Sequence, residues 1–491
     1  MAFGTRHDPD STQPAPRRER SPGIKLLFVV LIGLALIVPL MVSYALVWDR
    51  QQQSETAQAS INAGWGGPQV IAGPIISVPF RTTQTEQRQV DGKTVTSVVE
   101  VERLLYISPI ANRVTTQVEP QERRISIYSS VLYEADITGA ATFELPADLA
   151  RFGVTRERLI WDRAELRIGA SDARGLTKGG VIRINGNPLT VQPGKGPGAT
   201  SGQGFFAFLP WTGEGRIAID YSFGLRGSRS LSLVPRGGQT QWQVSSAWQS
   251  PSFSGAFLPE QRELREDGFR ASYTVDKLAL GQPPVATEDL GAPDIPDVAR
   301  YASSSMNVTA AAYPVDSRSE MIGGQSQAVT VGLVEPVNLY SKVDRSVKYG
   351  FLFIGFTFLA FLLFDIVGGA RVAAAEYLLT GVGLVLFFVL LLAFAEVIGF
   401  TLAYLAAAAA VIGLLSAYSA AVLKSWKRGG FIGAMLTALY ALLFVLLNLE
   451  AWSLLIGAVL LFLALAGVMY ATRNLDWGAA VRRDPPPESA V

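Results

Sequence analysis

Six stretches of the chain are apolar and almost free of charge, and they are unevenly spaced. The first covers residues 26–47. The other five follow in close succession at 349–367, 377–395, 400–422, 431–447 and 452–471. At about 20 residues each, they are long enough to cross the hydrocarbon core of a membrane as helices. Pro39 predicts a bend in the first without excluding it from lipid. Between the first and second lie about 300 residues, enough for one or two domains.

In that insertion the apolar period changes from helical to two. Residues 49–60 are polar and predict a helix leading away from the membrane. Residues 70–78 predict a short buried strand bounded by Gly67-Pro68, Gly73-Pro74 and Pro79. Asp91-Gly92 predicts a hairpin turn leading into 94–108. Residues 124–145 predict two strands and 157–168 another. Residues 181–191 predict a hairpin about Asn185-Gly186, and 216–234, 239–248 and 328–334 continue the series. Residues 281–297, rich in Pro, Gly and acid, predict a surface loop or mobile flap. Strands at this spacing argue for a sandwich- or barrel-like β domain. The expected fold is a membrane protein: a six-span helical bundle, one helix plus five, with a large β-rich insertion. The segments are a disordered tail at 1–23, a first transmembrane helix at 24–48, a β-rich domain at 49–347, a five-helix block at 348–472 and a tail at 473–491.

Composition fits this mixture. Of 491 residues 49% are hydrophobic, and the mean hydropathy is +0.28. Lys+Arg is 42 against 41 Asp+Glu, so no polyanionic partner is expected, and no nucleic acid. The absence of cysteine excludes disulfides, thiolate metal sites and cysteine nucleophiles. The single histidine, His7, lies in the polar tail, which removes Ser-His-Asp catalysis and histidine-bound metal from the folded part. No cofactor is expected, and the protein reads as a non-enzyme. Its expected partners are the lipid bilayer and a protein either on the exported side or in the membrane; homo-oligomers fit the same pattern.

Charge sets the orientation. Arg17, Arg18, Arg20 and Lys25 precede the first span. Arg371, then Lys424, Lys427 and Arg428, and then Arg473, Arg482 and Arg483 fall in alternate loops and the tail. The turns at 396–399 and 448–451 hold neither Lys nor Arg. The positive-inside rule then places both termini in the cytoplasm and exports residues 49–347.

Candidate functional residues are few. Asp365, Glu376, Glu396 and Glu450 lie at helix ends. They read either as interfacial carboxylates in water and headgroups, or as binders of a proton, cation or cationic ligand inside the bundle. No span has a charged centre, which argues against a proton-coupled transporter. Asp172 and Arg174 sit in a turn-like sequence that reads as a cap or ion pair, or as a ligand contact. Trp161, Trp242, Trp248 and Phe253 read as core or interface aromatics. The glycine-rich stretch at 194–204 lacks P-loop spacing and joins strands. Gly429 with Gly433, Ala406 with Ala410 and Ala409 with Gly413 have the spacing of close helix packing in lipid.

Several stretches together resemble one family. They are Gly67-Pro68-Gln69 with Gly73-Pro74 and Pro79, Ser171-Asp172-Ala173-Arg174-Gly175, and Ser250-Pro251-Ser252-Phe253 with Gly255 and Phe257-Leu258-Pro259. Lys348-Tyr349, Tyr377-Leu378-Leu379, Glu396 and Arg473-Asn474-Leu475-Asp476-Trp477 complete the set. With the one-plus-five layout, this resembles the CreD family of bacterial inner-membrane proteins. The resemblance implies a role in cell-envelope integrity and control by an envelope-sensing two-component system. Val397 stands where the family pattern has His, and Asp365 where it has Glu. The alternatives are a transporter or ion-conducting protein using the rim carboxylates, and an envelope-remodelling enzyme.

Overall fold

A computed structural model describes residues 22–90, 93–125, 128–177, 179–297, 324–333, 339–366, 372–448 and 453–473. The chain divides into two units, one made of Met1–Gln51 with Val337–Val491 and the other of Gln52–Pro336.

The first unit is helical. Helices α1 (Pro22–Ala35) and α2 (Ile37–Ala63) are separated at Leu36. The break lies one turn before Pro39, which cannot donate to the carbonyl four residues back. The turn survives through Leu36 N–H to Ile32 O (3.0 Å) and Leu40 N–H to Leu36 O (3.2 Å). The stretch Lys25–Asn62 is long and apolar enough to cross a membrane, as are Leu339–Asp365, Ala374–Ile398, Phe400–Val422 and Trp426–Asn448. A sixth helix, Ser453–Thr472, spans 20 residues without a charge, completing the one-plus-five arrangement.

The helices extend beyond several of the apolar runs, most of all at the start of the C-terminal block. The run at 349–367 is α5 (Gly350–Ile366), and a separate helix, α4 (Leu339–Lys348), precedes it; α3 (Lys277–Leu280) is a single short helix of the second unit. Tyr340, Val343 and Val347 of α4 are buried at helical spacing while Lys342, Arg345 and Lys348 alternate with them. That mixed face hid the helix from a search for charge-free runs. Helices α6 (Ala374–Ile398), α7 (Phe400–Val422) and α8 (Trp426–Asn448) pack in sequence. Their core is aromatic: the Phe387 ring lies 4.5 Å from Tyr440 and 5.4 Å from Tyr404. Tyr404 donates to the Tyr440 carbonyl at 2.7 Å. Gly429 and Gly433 serve the α7–α8 contact, since a Cβ at either would lie 2.6 Å from Ala420 Cβ or 2.5 Å from Ser416 Oγ.

The second unit is a β-sandwich. The nine-stranded sheet runs β13 (Pro251–Gly255), β17 (Val329–Leu333), β11 (Ser230–Val234), β1 (Gln69–Val90), β5 (Glu165–Ala170), β9 (Gly204–Phe208), β8 (Val191–Pro193). Strand β2 (Lys93–Ile107) pairs with β1, and β16 (Val285–Ala286) pairs with β2. The eight-stranded sheet runs β14 (Gln261–Arg265), β15 (Gly268–Asp276), β12 (Gln239–Ser246), β3 (Ala111–Ile125), β4 (Tyr128–Phe143), β10 (Ile217–Ser228), β6 (Val181–Ile184), β7 (Asn187–Leu189). Val78, Leu105 and Leu166 from one sheet and Val114, Ile137, Phe223 and Trp242 from the other share one core.

Three strand expectations need correction. The strand at 70–78 is the start of a 22-residue strand, which passes Gly73-Pro74 through a bulge between Ala72 and Ile75. Gly73 takes φ 92°, a conformation that L side chains resist. The alternation at 124–145 takes in only the last two residues of β3 and then the whole of β4, so the two strands divide near its start and not within it. At 157–168 the chain makes two short 3-10 turns before β5 begins at Glu165. The Asn185-Gly186 turn is present, with both residues at positive φ. Asp91 and Gly92 lie outside the described residues, and the strands around them pair Val90 opposite Lys93.

Candidate functional site

In the helical unit two of the three described rim carboxylates, Asp365 and Glu396, meet cations from the first helical stretch. Asp365 lies in the last turn of α5 with its side chain 4% exposed, and Lys25 Nζ approaches Oδ1 to 3.0 Å. Glu396 lies near the end of α6, 12% exposed. The Tyr340 hydroxyl donates to Oε1 at 3.3 Å, and Arg50 Nε stands 4.0 Å from the same oxygen. Lys25 and Arg50 are separated by about 38 Å of helix at 1.5 Å per residue. A bilayer measures about 30 Å across its hydrocarbon and 40–45 Å with headgroups. The two pairs therefore stand at opposite ends of a membrane-length helix and fasten it to the C-terminal block. Glu376 caps its own helix by accepting the Ala373 N–H at 2.7 Å. Glu450 lies outside the described residues.

In the sandwich, Asp172 caps the single 3-10 turn Ala173–Gly175. It accepts from the Arg174 backbone N–H at 3.1 Å and from Arg174 Nε and Nη2 at 2.9 and 2.8 Å. Burial pushes the Asp172 carboxyl up, but the Arg174 hydrogen bonds and charge outweigh it and leave the pKa below the usual value. This turn is stitched to the start of β1 by fully buried Gln69. The Gln69 amide donates to Arg226 O at 2.9 Å and accepts the Asp172 N–H at 3.2 Å. A Cβ on Gly175 would lie 2.4 Å from Arg226 O, so only glycine fits there. Two stretches that carry the family resemblance, about one hundred residues apart, thus form a single node. Trp65 joins it, with the Arg226 and Arg123 guanidinium carbons 4.3 and 4.0 Å from the ring centre.

Sequence reasoning missed a set of buried charges on the nine-stranded sheet. Glu165 accepts from Arg167 at 2.7 Å and also from Lys195. Arg236, 4% exposed, pairs with Asp289, whose other oxygen accepts the Gly198 N–H at 2.6 Å. Asp289 belongs to the stretch expected to be a surface loop or flap. Its ion pair, and the pairing of β16 with β2, anchor that stretch instead. Acidic composition predicted exposure because the buried arginine opposite was distant in sequence. The tryptophans sit as expected: Trp242 is fully buried and Trp161 packs edge-on to Trp211 at 5.6 Å.

Strands β1 and β2 outrun the sheet. From Arg81–Glu102 to Val90–Lys93 they pair with each other over ten registers, roughly 30 Å at strand rise. Strand β5 follows β1 only to Ser77, and β16 touches β2 only at Tyr106 and Ile107. Among the described residues no other strand pairs with this arm. Val98 is 69% exposed and Val99 38%. A two-stranded ribbon is marginal alone in water, and open strand edges invite pairing with another chain. The arm has the form of an interaction element, whereas the buried carboxylates of both units are committed to cations.

Residues 21–478 match the family described as inner membrane protein CreD. Inner membrane protein CreD of Escherichia coli K12 is 30% identical over 458 residues, covering 91% of each chain. Among solved structures, an M1 zinc metallopeptidase from Deinococcus radiodurans aligns over 46% of this chain and 42% of that one. The identity is 9% and the TM-score 0.21, too slight a likeness to carry an argument.

Proposed function

The chain belongs to the CreD family of inner membrane proteins, and on that footing we propose that it supports envelope integrity by binding rather than catalysis. Its β-sandwich faces the periplasm and holds a partner through the β1–β2 arm, while the helical unit retains it in the inner membrane. Both termini lie in the cytoplasm. The observation that carries this reading is the arm itself, ten ladder pairs that run beyond the neighbouring strands, with exposed valines on it. The basic residues of alternate loops support the orientation. The main rival is transport through the helical unit. It loses ground because Asp365 and Glu396 are engaged by Lys25, Arg50 and Tyr340.

The test replaces Val98 or Val99 with a photoreactive residue in the full chain and irradiates living cells. Adducts from the arm and none from Gln243, exposed elsewhere on the sandwich, support the reading. Silence from every arm position overturns it. A periplasm-dependent reporter fused near residue 200 checks the orientation independently, and activity only in the cytoplasm refutes it.

A further inference from the structure

We propose that the partner of the arm is a second copy of this chain, paired edge to edge through β2 with Ser97 at the centre. This rests on the reading of the arm as the contact element and names what the arm contacts.

The edges of the two sheets differ in how they are guarded. Strand β14 is fully exposed and carries Arg262, Glu263 and Arg265. Strands β7, β8 and β13 contain Pro188, Pro193 and Pro251. Charge and proline are the usual protections against strand addition. Along β2, residues 94–99 read Thr-Val-Thr-Ser-Val-Val, with neither. The open side of this stretch has no strand beside it among the described residues. Such β-branched, uncharged segments are the ones that pair readily.

The sequence also says which strand fits. Residues 95–99 run Val-Thr-Ser-Val-Val, and reversed they run Val-Val-Ser-Thr-Val. Val and Thr have the same shape, so the segment is a near palindrome in form. An antiparallel pairing centred on Ser97 sets Val95 opposite Val99, Thr96 opposite Val98, Thr94 opposite Glu100 and Lys93 opposite Val101. No like charges meet. Moving the centre to Val98 sets Lys93 against Arg103, which costs stability. The helical unit separately offers a face suited to self-association. Ala406, Ala409, Ala410 and Gly413 on α7 are exposed, and a Cβ on Gly413 meets nothing within 4 Å. Small residues at this spacing let helices approach closely in lipid.

The chain has no cysteine, so any introduced thiol reports on one position. Single variants Thr96→Cys, Ser97→Cys and Gln243→Cys are made in the full chain and oxidised in native membranes. Directly opposed strand residues have Cα atoms about 4.5–5.5 Å apart, within disulfide reach of about 4.4–6.8 Å. Ser97→Cys is therefore expected to give several-fold more disulfide-linked homodimer than Thr96→Cys or Gln243→Cys. Thr96→Cys is rescued when co-expressed with Val98→Cys. Homodimer yields equal at all positions overturn the proposal. Trapping of another protein at Ser97→Cys overturns the second copy while leaving partner binding intact. If nothing is trapped at 97 and the photoreactive arm is also silent, both readings fall.

Discussion

Lys25 and Asp365 are 340 residues apart in the chain, yet their side chains meet at 3.0 Å. Asp365 keeps 4% of its side chain exposed and Lys25 28%. The pair joins the one helical stretch that precedes the sandwich to the block that follows it. It gives a carboxylate at a membrane rim a reason to exist other than transport.

Removing one member leaves a nearly buried charge alone. Fully buried pairs lose about 3–5 kcal/mol when broken in this way. The partial exposure of Lys25 lowers the expectation for Lys25→Gln to about 1–3 kcal/mol. Thermal unfolding of the full chain in detergent measures it. The reversed pair, Lys25→Asp with Asp365→Lys, should recover part of the loss. Unchanged melting in the single variants would show that the contact contributes nothing.

Glu396→Gln should do much less. The Tyr340 hydroxyl can donate to a glutamine oxygen as it does to the carboxylate at 3.3 Å. Only the 4.0 Å attraction to a 41%-exposed Arg50 is lost, worth below about 1 kcal/mol. Unfolding should move little, and reconstituted vesicles should show no flux that depends on this residue. Flux present in the unmodified protein and abolished by Glu396→Gln would return the function to the membrane.

Asp289→Ala should be the most damaging single change among the charges of the sandwich. It strands Arg236, 4% exposed, and removes the acceptor of the Gly198 N–H. The cost is about 3–5 kcal/mol. Limited proteolysis should find new cleavage at 281–297, because that stretch loses its anchor. The same protease map before and after substitution would contradict the anchoring role.

Helices and strands differ in how much of them the sequence disclosed. A charge-free run of about 20 residues needs no partner to be recognised, because lipid surrounds it. Helix α4 escaped notice because its buried Tyr340, Val343 and Val347 alternate with charges. The sequence pattern disclosed the first part of β1 and most of β2, but could not show that β5 stops at Ser77 while the hairpin continues. That depends on which strands lie alongside, a non-local fact. The candidates behaved likewise. Asp365, Glu396 and Asp172 stood out by type and place, whereas the roles of Lys25, Arg50 and Gln69 as their partners became visible only when folding brought distant segments together.

Asp172 gives the protein a predictable acid response. Its carboxyl titrates below the ordinary 3.8 because the Arg174 bonds and charge outweigh the opposing effect of burial. A carboxylate with a depressed pKa in the folded state stabilises the fold fully above its unfolded value. That contribution fades as pH falls through the folded value. Arg174 is 72% exposed, so the contribution at neutral pH is modest, about 1 kcal/mol. Asp172→Asn should therefore melt below the unmodified chain at pH 6, and the gap should close as pH drops under 3.8. Melting curves of the two full-length proteins across that range decide the matter. A gap that is constant with pH would mean that the loss comes from packing at the Gln69 node and not from charge.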